Sequence, residues 1–310
     1  MPADTIQIYR IGGIIMNRTI SMIFSIGLVS LATGFLTSGC TTDIDIKNTQ
    51  TSAADSSRNK NSLPFSRKPP DSWFWSHDIQ PHHLDDLPFP GAHLVRISAY
   101  VASNNEKGRR FAAIVFQENG GGSHALQNLS SAELEARIFS SGEHPVSITA
   151  EDGAEQPYFS LVLHQESGPS VKIITDLDAA GLSQLSNDQR RIADFTSYSV
   201  NGVRKYAAIV EERPGPSLVF IRVTARELET QLRKHKATPV RIRGFYEGNE
   251  RFFTVVAERF DAGNWNWYDG IDADAVADKL ETHDAYPFDL DAYRTEQGIH
   301  YTVLMYRNRK

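Results

Sequence analysis

A single cysteine, Cys40, stands among 310 residues, so no disulfide can form within this chain. His-Glu-x-x-His, Gly-x-Ser-x-Gly and a P-loop are also missing, which leaves zincin, serine-hydrolase and nucleotide chemistry without their signatures. There is no excess of positive charge. Thirty-two Lys and Arg face 38 Asp and Glu, a formal charge of −6, whereas nucleic-acid binding needs a concentrated basic surface. The pair Ser57 and Lys60 has Ser-x-x-Lys spacing, but it lies in a polar stretch without the rigid cleft and fixed base that a nucleophile requires.

Metal ligands are equally sparse. In the segment carrying His77, Asp78, His82, His83, Asp85 and Asp86, the only close helical pairs are His82 with Asp85 or Asp86, and no third ligand converges. The acidic positions Asp261, Asp269, Asp272 and Asp274 lack the closing Glu of a calcium loop. They suit a helix N-terminus, where carboxylates oppose the dipole favourably. No metal, cofactor or catalytic residue is expected.

What the chain has is a repeat. An apolar-x-small-aromatic quartet, a polar turn, and an aromatic leading a run of small and β-branched residues recur five times. The second aromatics are Phe111, Tyr158, Tyr206, Phe252 and Tyr301, at steps of 47, 48, 46 and 49 residues. A near-constant period means units that bury their apolar faces against one another. In the third unit, residues 192–198 and 205–210 form a hairpin across Asn201-Gly202, and residues 217–223 form a third strand. Thr224 and Glu227 then make a capping box for a helix to about Lys236, with Leu228 and Leu232 on one face. Similar starts stand at Ser130-Ser131-Ala132-Glu133, with Leu134 and Ile138 on one face, and before Val276 and Leu280. The helix over 179–185 carries Gly181 and lacks a clear cap.

The predicted fold is therefore α+β: five tandem β-β-β-α repeats of about 47 residues in a curved array. The array is either a closed, propeller-like ring or an open half-barrel. Trp73 precedes Tyr100 by 27 residues and Trp265 precedes Tyr293 by 28. The segment Trp73-Phe74-Trp75 thus reads as a detached third strand, placed to complete the last repeat if the ring closes.

Ahead of this body, the apolar stretch 20–35 follows Arg18 and is followed by Leu36-Thr37-Ser38-Gly39-Cys40. Its length suits a signal-peptide core better than a membrane span. These residues resemble a bacterial lipoprotein signal peptide, with Met16 a plausible start and Thr37 a departure from the family's aliphatic residue. The resemblance implies a signal peptide over 1–39, a lipid on Cys40 that holds the protein to the membrane, and an envelope location. Thr41, in place of an Asp, implies the outer membrane where the host has one. Residues 40–70 are rich in Thr, Ser, Asn, Asp and Lys and read as a disordered tether with a reach of roughly 30 Å. The folded domain is expected over 71–310.

Asn264-Trp265-x-Trp267-Tyr268-x-Gly270 and Asp289-Leu290-Asp291-Ala292-Tyr293 resemble a bacterial tandem-repeat family also found beside the β-lactamase-like domain of polyglycine hydrolases. That resemblance implies a repeat scaffold acting as a binding or accessory module. In the hydrolases the chemistry belongs to the other domain, so no catalytic residue carries over.

Candidate ligand-binding residues are Trp73, Trp75, Trp265, Trp267 and Tyr268, whose rings suit stacking on a sugar or gripping a peptide, unless they alternate inward and fill the core. Tyr100, Tyr198 and Tyr293 share one repeat position with Phe245, and unit two has Glu151 there. They form either a shared core layer or a ring of hydroxyls on a central groove. Arg96, Arg191, Arg241 and Arg243 are placed to pair with neighbouring units. The expected role is a lipid-anchored module that binds a glycan, a peptide or an envelope protein, without catalysis. The rival is a hydrolase, or an accessory subunit of one, that uses carboxylate and His groups on the central face of the array.

Overall fold

The computed structural model describes residues 7–9, 69–87, 91–102, 108–117, 122–137, 142–151, 156–166, 168–187, 189–213, 215, 217–259 and 264–307. Cys40, the apolar stretch 20–35, the tether up to residue 68, and Ile138 lie outside the described residues. Among the described residues no helix is long and apolar enough to cross a membrane.

The first group of elements is β1 (Gln7–Tyr9), β2 (Ser72–Ile79), a 3-10 helix (Pro81–Asp86), β3 (Ala92–Val101) and β4 (Arg109–Gln117). The second is β5 (Ser123–Leu129), α1 (Ser131–Ala136), β6 (His144–Ala150) and β7 (Phe159–His164). The third is β8 (Val171–Leu177), α2 (Ala179–Gln184), β9 (Arg191–Val200) and β10 (Val203–Glu211). The fourth is β11 (Leu218–Val223), α3 (Ala225–His235), β12 (Thr238–Glu247) and β13 (Glu250–Glu258). The fifth is β14 (Trp265–Ile271), α4 (Ala273–Thr282), β15 (Ala285–Thr295) and β16 (Gly298–Arg307).

The repeat is real but its phase differs from the sequence expectation. Each three-stranded sheet joins a hairpin to the strand that precedes it, in the orders β2-β4-β3, β5-β7-β6, β8-β10-β9, β11-β13-β12 and β14-β16-β15. The unit is therefore a strand followed by a hairpin, with a short helical segment between them that is a 3-10 helix in the first unit. The two outer strands both run antiparallel to the central one, so they are parallel to each other and need a crossover, which the helical segment supplies. The second hairpin strand fills the gap between them, as in a split βαβ unit.

This phase corrects the place of Trp73-Phe74-Trp75. Strand β2 pairs with β4 of the first hairpin, with Trp75 opposite Ile114, and β14 already completes the last sheet. The tryptophans still reach the last unit, but through side chains. Trp75 meets Tyr301 of β16 edge to face, with centroids 5.6 Å apart. On the other edge of β2 lies β1, with Ile8 opposite Ser76.

The aromatic-led runs are the central strands, buried on both faces, which explains why they do not alternate. Phe111, Phe159, Tyr206, Phe253 and Tyr301 lead them and all are buried. Their steps of 48, 47, 47 and 48 are more even than those read from sequence. In units two and four the leading aromatic is thus the neighbour of the one the sequence pattern picks out, Phe159 for Tyr158 and Phe253 for Phe252. Phe159 pairs with Ala150 as Phe253 pairs with Gly244, whereas Tyr158 is 47 % exposed.

Helix starts follow their caps. Ser130 with Glu133 and Thr224 with Glu227 form complete capping boxes. Asp178 caps α2 by accepting from the Gly181 amide at 2.7 Å, a cap the sequence reading missed, and Asp272 accepts from Ala275. Leu228 and Leu232 on α3, and Val276 and Leu280 on α4, face the core and are buried. In the strand before each helical segment (β2, β5, β8, β11 and β14) the register slips near its end at one left-handed residue: Asp78, Asn128, Asp176, Arg222 or Gly270.

Candidate functional site

Each hairpin carries one extra residue in its first strand, at Val95, Val146, Ala193, Val240 and Phe288. Such a bulge re-aims the side chain that follows it. The residues that follow are Arg96, Ser147, Asp194, Arg241 and Asp289, all buried. Two positions on stand Ser98, Thr149, Thr196, Arg243 and Asp291. These ten residues form two polar layers between first strands that lie side by side: β3 with β6, β6 with β9, β9 with β12, β12 with β15, and β15 with β3.

The layers join units by one recurring contact, in which a main-chain N–H donates to the polar side chain of the next unit. Ile97 donates to Ser147 Oγ at 3.3 Å and Ala99 to Thr149 Oγ1 at 2.9 Å. Ile148 donates to Asp194 at 2.9 Å and Ala150 to Thr196 at 3.2 Å. Ile242 donates to Asp289 at 2.8 Å and Gly244 to Asp291 at 2.9 Å. From the last unit to the first, Ala292 donates to Ser98 Oγ at 2.8 Å.

Three arginines and three aspartates sit in these layers. Arg241 Nε and Arg243 Nη2 each lie 3.0 Å from Asp194 Oδ1. Arg243 Nη1 lies 2.7 Å from Asp289, and Arg96 Nε lies 3.8 Å from it. Burial works against the Arg243 charge, but Asp289, Asp194 and Asp291 outweigh it and hold the guanidinium firmly ionised. Asp291 keeps the opposite imprint, because burial pushes its carboxyl up to about 6 despite Arg243 and the Gly244 amide. All four arginines singled out in the sequence pair between units. The fourth, Arg191, binds Glu211 of its own hairpin at 2.7 Å and Glu258 of the next at 3.6 Å.

Towards the hairpin tips a second device repeats. Arg109, Arg204 and Arg251 hold one position, opposite Val101, Ser199 and Tyr246. Each reaches the first-aromatic position of the next unit. Arg109 binds Glu151 and Asn128, and Arg204 lies 4.7 Å over Phe245. Arg251 lies 3.7 Å over Tyr293 and binds Asp269 through Nε and Nη2. Gly244 leaves room for it, since a Cβ there would stand 2.2 Å from Nη2. At the opposite end, Glu211 bridges Arg191 and His144. Burial opposes its ionisation, yet the His144 hydrogen bond and Arg191 lower its pKa to about 2.

The aromatics proposed from sequence fall mainly in the core. Trp73, Trp75, Trp267, Tyr268, Tyr100 and Tyr198 are buried, and only Trp265 and Tyr293 are half-buried. The tyrosine hydroxyls turn to the outer-strand bulges of their own sheets instead of lining a groove. Tyr100 accepts from the Asp78 amide at 2.9 Å and Tyr198 from that of Asp176 at 3.0 Å. Tyr293 donates to Asp269 at 3.3 Å. Burial raises the Tyr100 hydroxyl to about 12. Of the histidine segment, His83 meets Asp86 at 3.0 Å and Asp85 accepts from the Ala125 amide of the second sheet. Among the described residues no group of three His, Cys, Asp or Glu is arranged to hold a metal.

The large apolar side chains that do reach solvent are none of the candidate ligand-binding residues. Tyr158, Val203 and Tyr246 are 47 %, 57 % and 46 % exposed, and each adjoins the turn of its hairpin. Because equivalent positions of neighbouring first strands face each other, these turns lie at one end of the array. No protein-family model and no curated protein matches this chain.

Proposed function

We propose that the five units close into a ring that serves as a binding module, held at a bacterial envelope by lipid on Cys40. Closure is supported by the Ala292–Ser98 hydrogen bond, the Arg96–Asp289 pair and the packing of Trp75 on Tyr301, all of which bring the last unit against the first. The recognition face is the hairpin-tip end, and its ligand is a glycan, a peptide or another envelope protein. One observation carries this reading. The interior aromatics and layer charges are spent on joining units, while Tyr158, Val203 and Tyr246 of three successive hairpins face solvent at the same end. Exposed tyrosines give rigid contact area at low entropic cost.

Binding of the purified protein to panels of glycans, peptides and envelope proteins tests it. Tyr158→Ser with Tyr246→Ser should abolish the interaction and leave the melting temperature within a few degrees of the parent. Binding that is indifferent to these residues, or turnover of a substrate, refutes it. Incorporation of labelled fatty acid that persists in Cys40→Ser refutes the anchor.

A further inference from the structure

We infer that the ring has an opening joint between its third and fourth hairpins, held shut by Asp194; this rests on the ring closure proposed above. Four of the five junctions between first strands carry the main-chain to side-chain hydrogen bond. At the β9–β12 junction the acceptor positions are occupied by Arg241 and Arg243, and a guanidinium cannot accept. Among the described residues, no such bond runs from β9 to β12. These two strands are also the least closely apposed neighbouring pair of first strands. The space between them is filled by the two guanidinium groups, which converge on the fully buried Asp194.

The other charges facing Asp194 are Arg96 of the first unit and Asp289 of the fifth. Other links across the joint are Arg243 over Phe195 at 5.5 Å, the Ile192 amide on Ser217 Oγ at 3.3 Å, the Ser217 amide on Ser186 Oγ at 2.6 Å, the Tyr206–Thr254 hydrogen bond at 3.2 Å, the Arg191–Glu258 pair, Arg204 over Phe245, and an apolar cluster with Val240 and Val256. A ring made by chain closure is ordinarily expected to part where its ends meet. Here the end junction has a main-chain bond, and Trp73, Trp75 and Tyr100 share a core with Tyr301. Loss of one carboxylate therefore loosens β9 from β12 before β15 leaves β3.

Thiol labelling of the full chain tests this. In a Cys40→Ser background, single probes are placed at Val256→Cys for the third–fourth joint, Ala112→Cys for the last–first junction and Val162→Cys between the first and second units. All three positions are fully buried. Val256→Cys should label at least tenfold faster than the other two under native conditions. Asp194→Asn should accelerate that probe alone by a further tenfold or more. Arg241→Gln, which spares Asp194 and removes one guanidinium, should accelerate it in the same way. Labelling of all three at one rate, or of Val162→Cys first, overturns the joint. Ala112→Cys labelling at the rate of a free thiol overturns ring closure itself, a result distinct from failure of the joint.

Discussion

Replacing Asp194 with Ala isolates the energetics of the polar layers. The carboxylate has no exposed surface; it accepts hydrogen bonds from Arg243 Nη2 at 3.0 Å and the Ile148 amide at 2.9 Å, and the Arg241 charge lies against it with Nε 3.0 Å away. Removing one partner of a buried ion pair costs about 3–5 kcal/mol, because the charge left behind is no longer compensated. Arg243 keeps Asp289 at 2.7 Å, which sets the expectation at the lower part of that range. For a body of this size, about 3 kcal/mol corresponds to a fall of roughly 6–12 °C in melting temperature. Asp194→Asn keeps an acceptor for the Ile148 amide and should cost less than Ala. Replacing one pair, with Asp194→Leu and Arg241→Met together, leaves Arg243 on Asp289 and should cost less than the two single changes summed, since the Arg241 charge is no longer left uncompensated. Guanidinium melts followed by fluorescence of the buried Trp75 and Trp267 provide the measurement. A change below about 0.5 kcal/mol for Asp194→Ala, or losses that simply add in the combined variant, refutes the assignment of these residues as one coupled network.

Acid titration of stability should show two opposed contributions. The folded pKa of Glu211 is depressed to about 2, so its contribution is complete above about 4.5 and is lost as pH falls through 2; the difference is worth at most about 3.4 kcal/mol, and Glu211→Gln should remove that slope. Asp291 acts the other way. Its folded pKa is raised to about 6, so its cost is complete above that pH and is relieved towards 3.8, and Asp291→Asn should flatten the gain seen between them. Gly244→Ala places a methyl group against the Arg251 guanidinium and should cost about 1–3 kcal/mol by forcing it off Asp269; parent-like melting would show that the arginine simply swings aside. Arg222 holds a left-handed conformation at φ 54°, and its pair with Glu247 is exposed. Arg222→Gly should stabilise by about 0.5–1 kcal/mol in a thermal melt, and a loss would mean that stacking of Arg222 on Phe252 outweighs the backbone strain.

The five-fold period, the capping boxes of α1 and α3, and the Asn201-Gly202 turn were legible from residues alone, because each depends on neighbours a few positions apart. The spacing of Leu228 and Leu232 likewise announced a buried helical face. The phase of the repeat was not legible. Whether a strand joins the hairpin before it or the one after it depends on pairing across the helix, and local propensity is the same in both cases. The same blindness sent Trp73-Phe74-Trp75 to the wrong sheet and chose Tyr158 over Phe159, where two aromatics sit side by side and only register tells which one points inward. The bulges left one faint mark, Pro145, Pro239 and Pro287 each just before the extra residue, since proline in a strand favours an irregular position. What tertiary structure alone decided is the meeting of Arg96, Asp194, Arg241, Arg243 and Asp289. Residues nearly two hundred positions apart become partners because five bulges turn equivalent side chains towards one another, and no local pattern encodes which charge will face which.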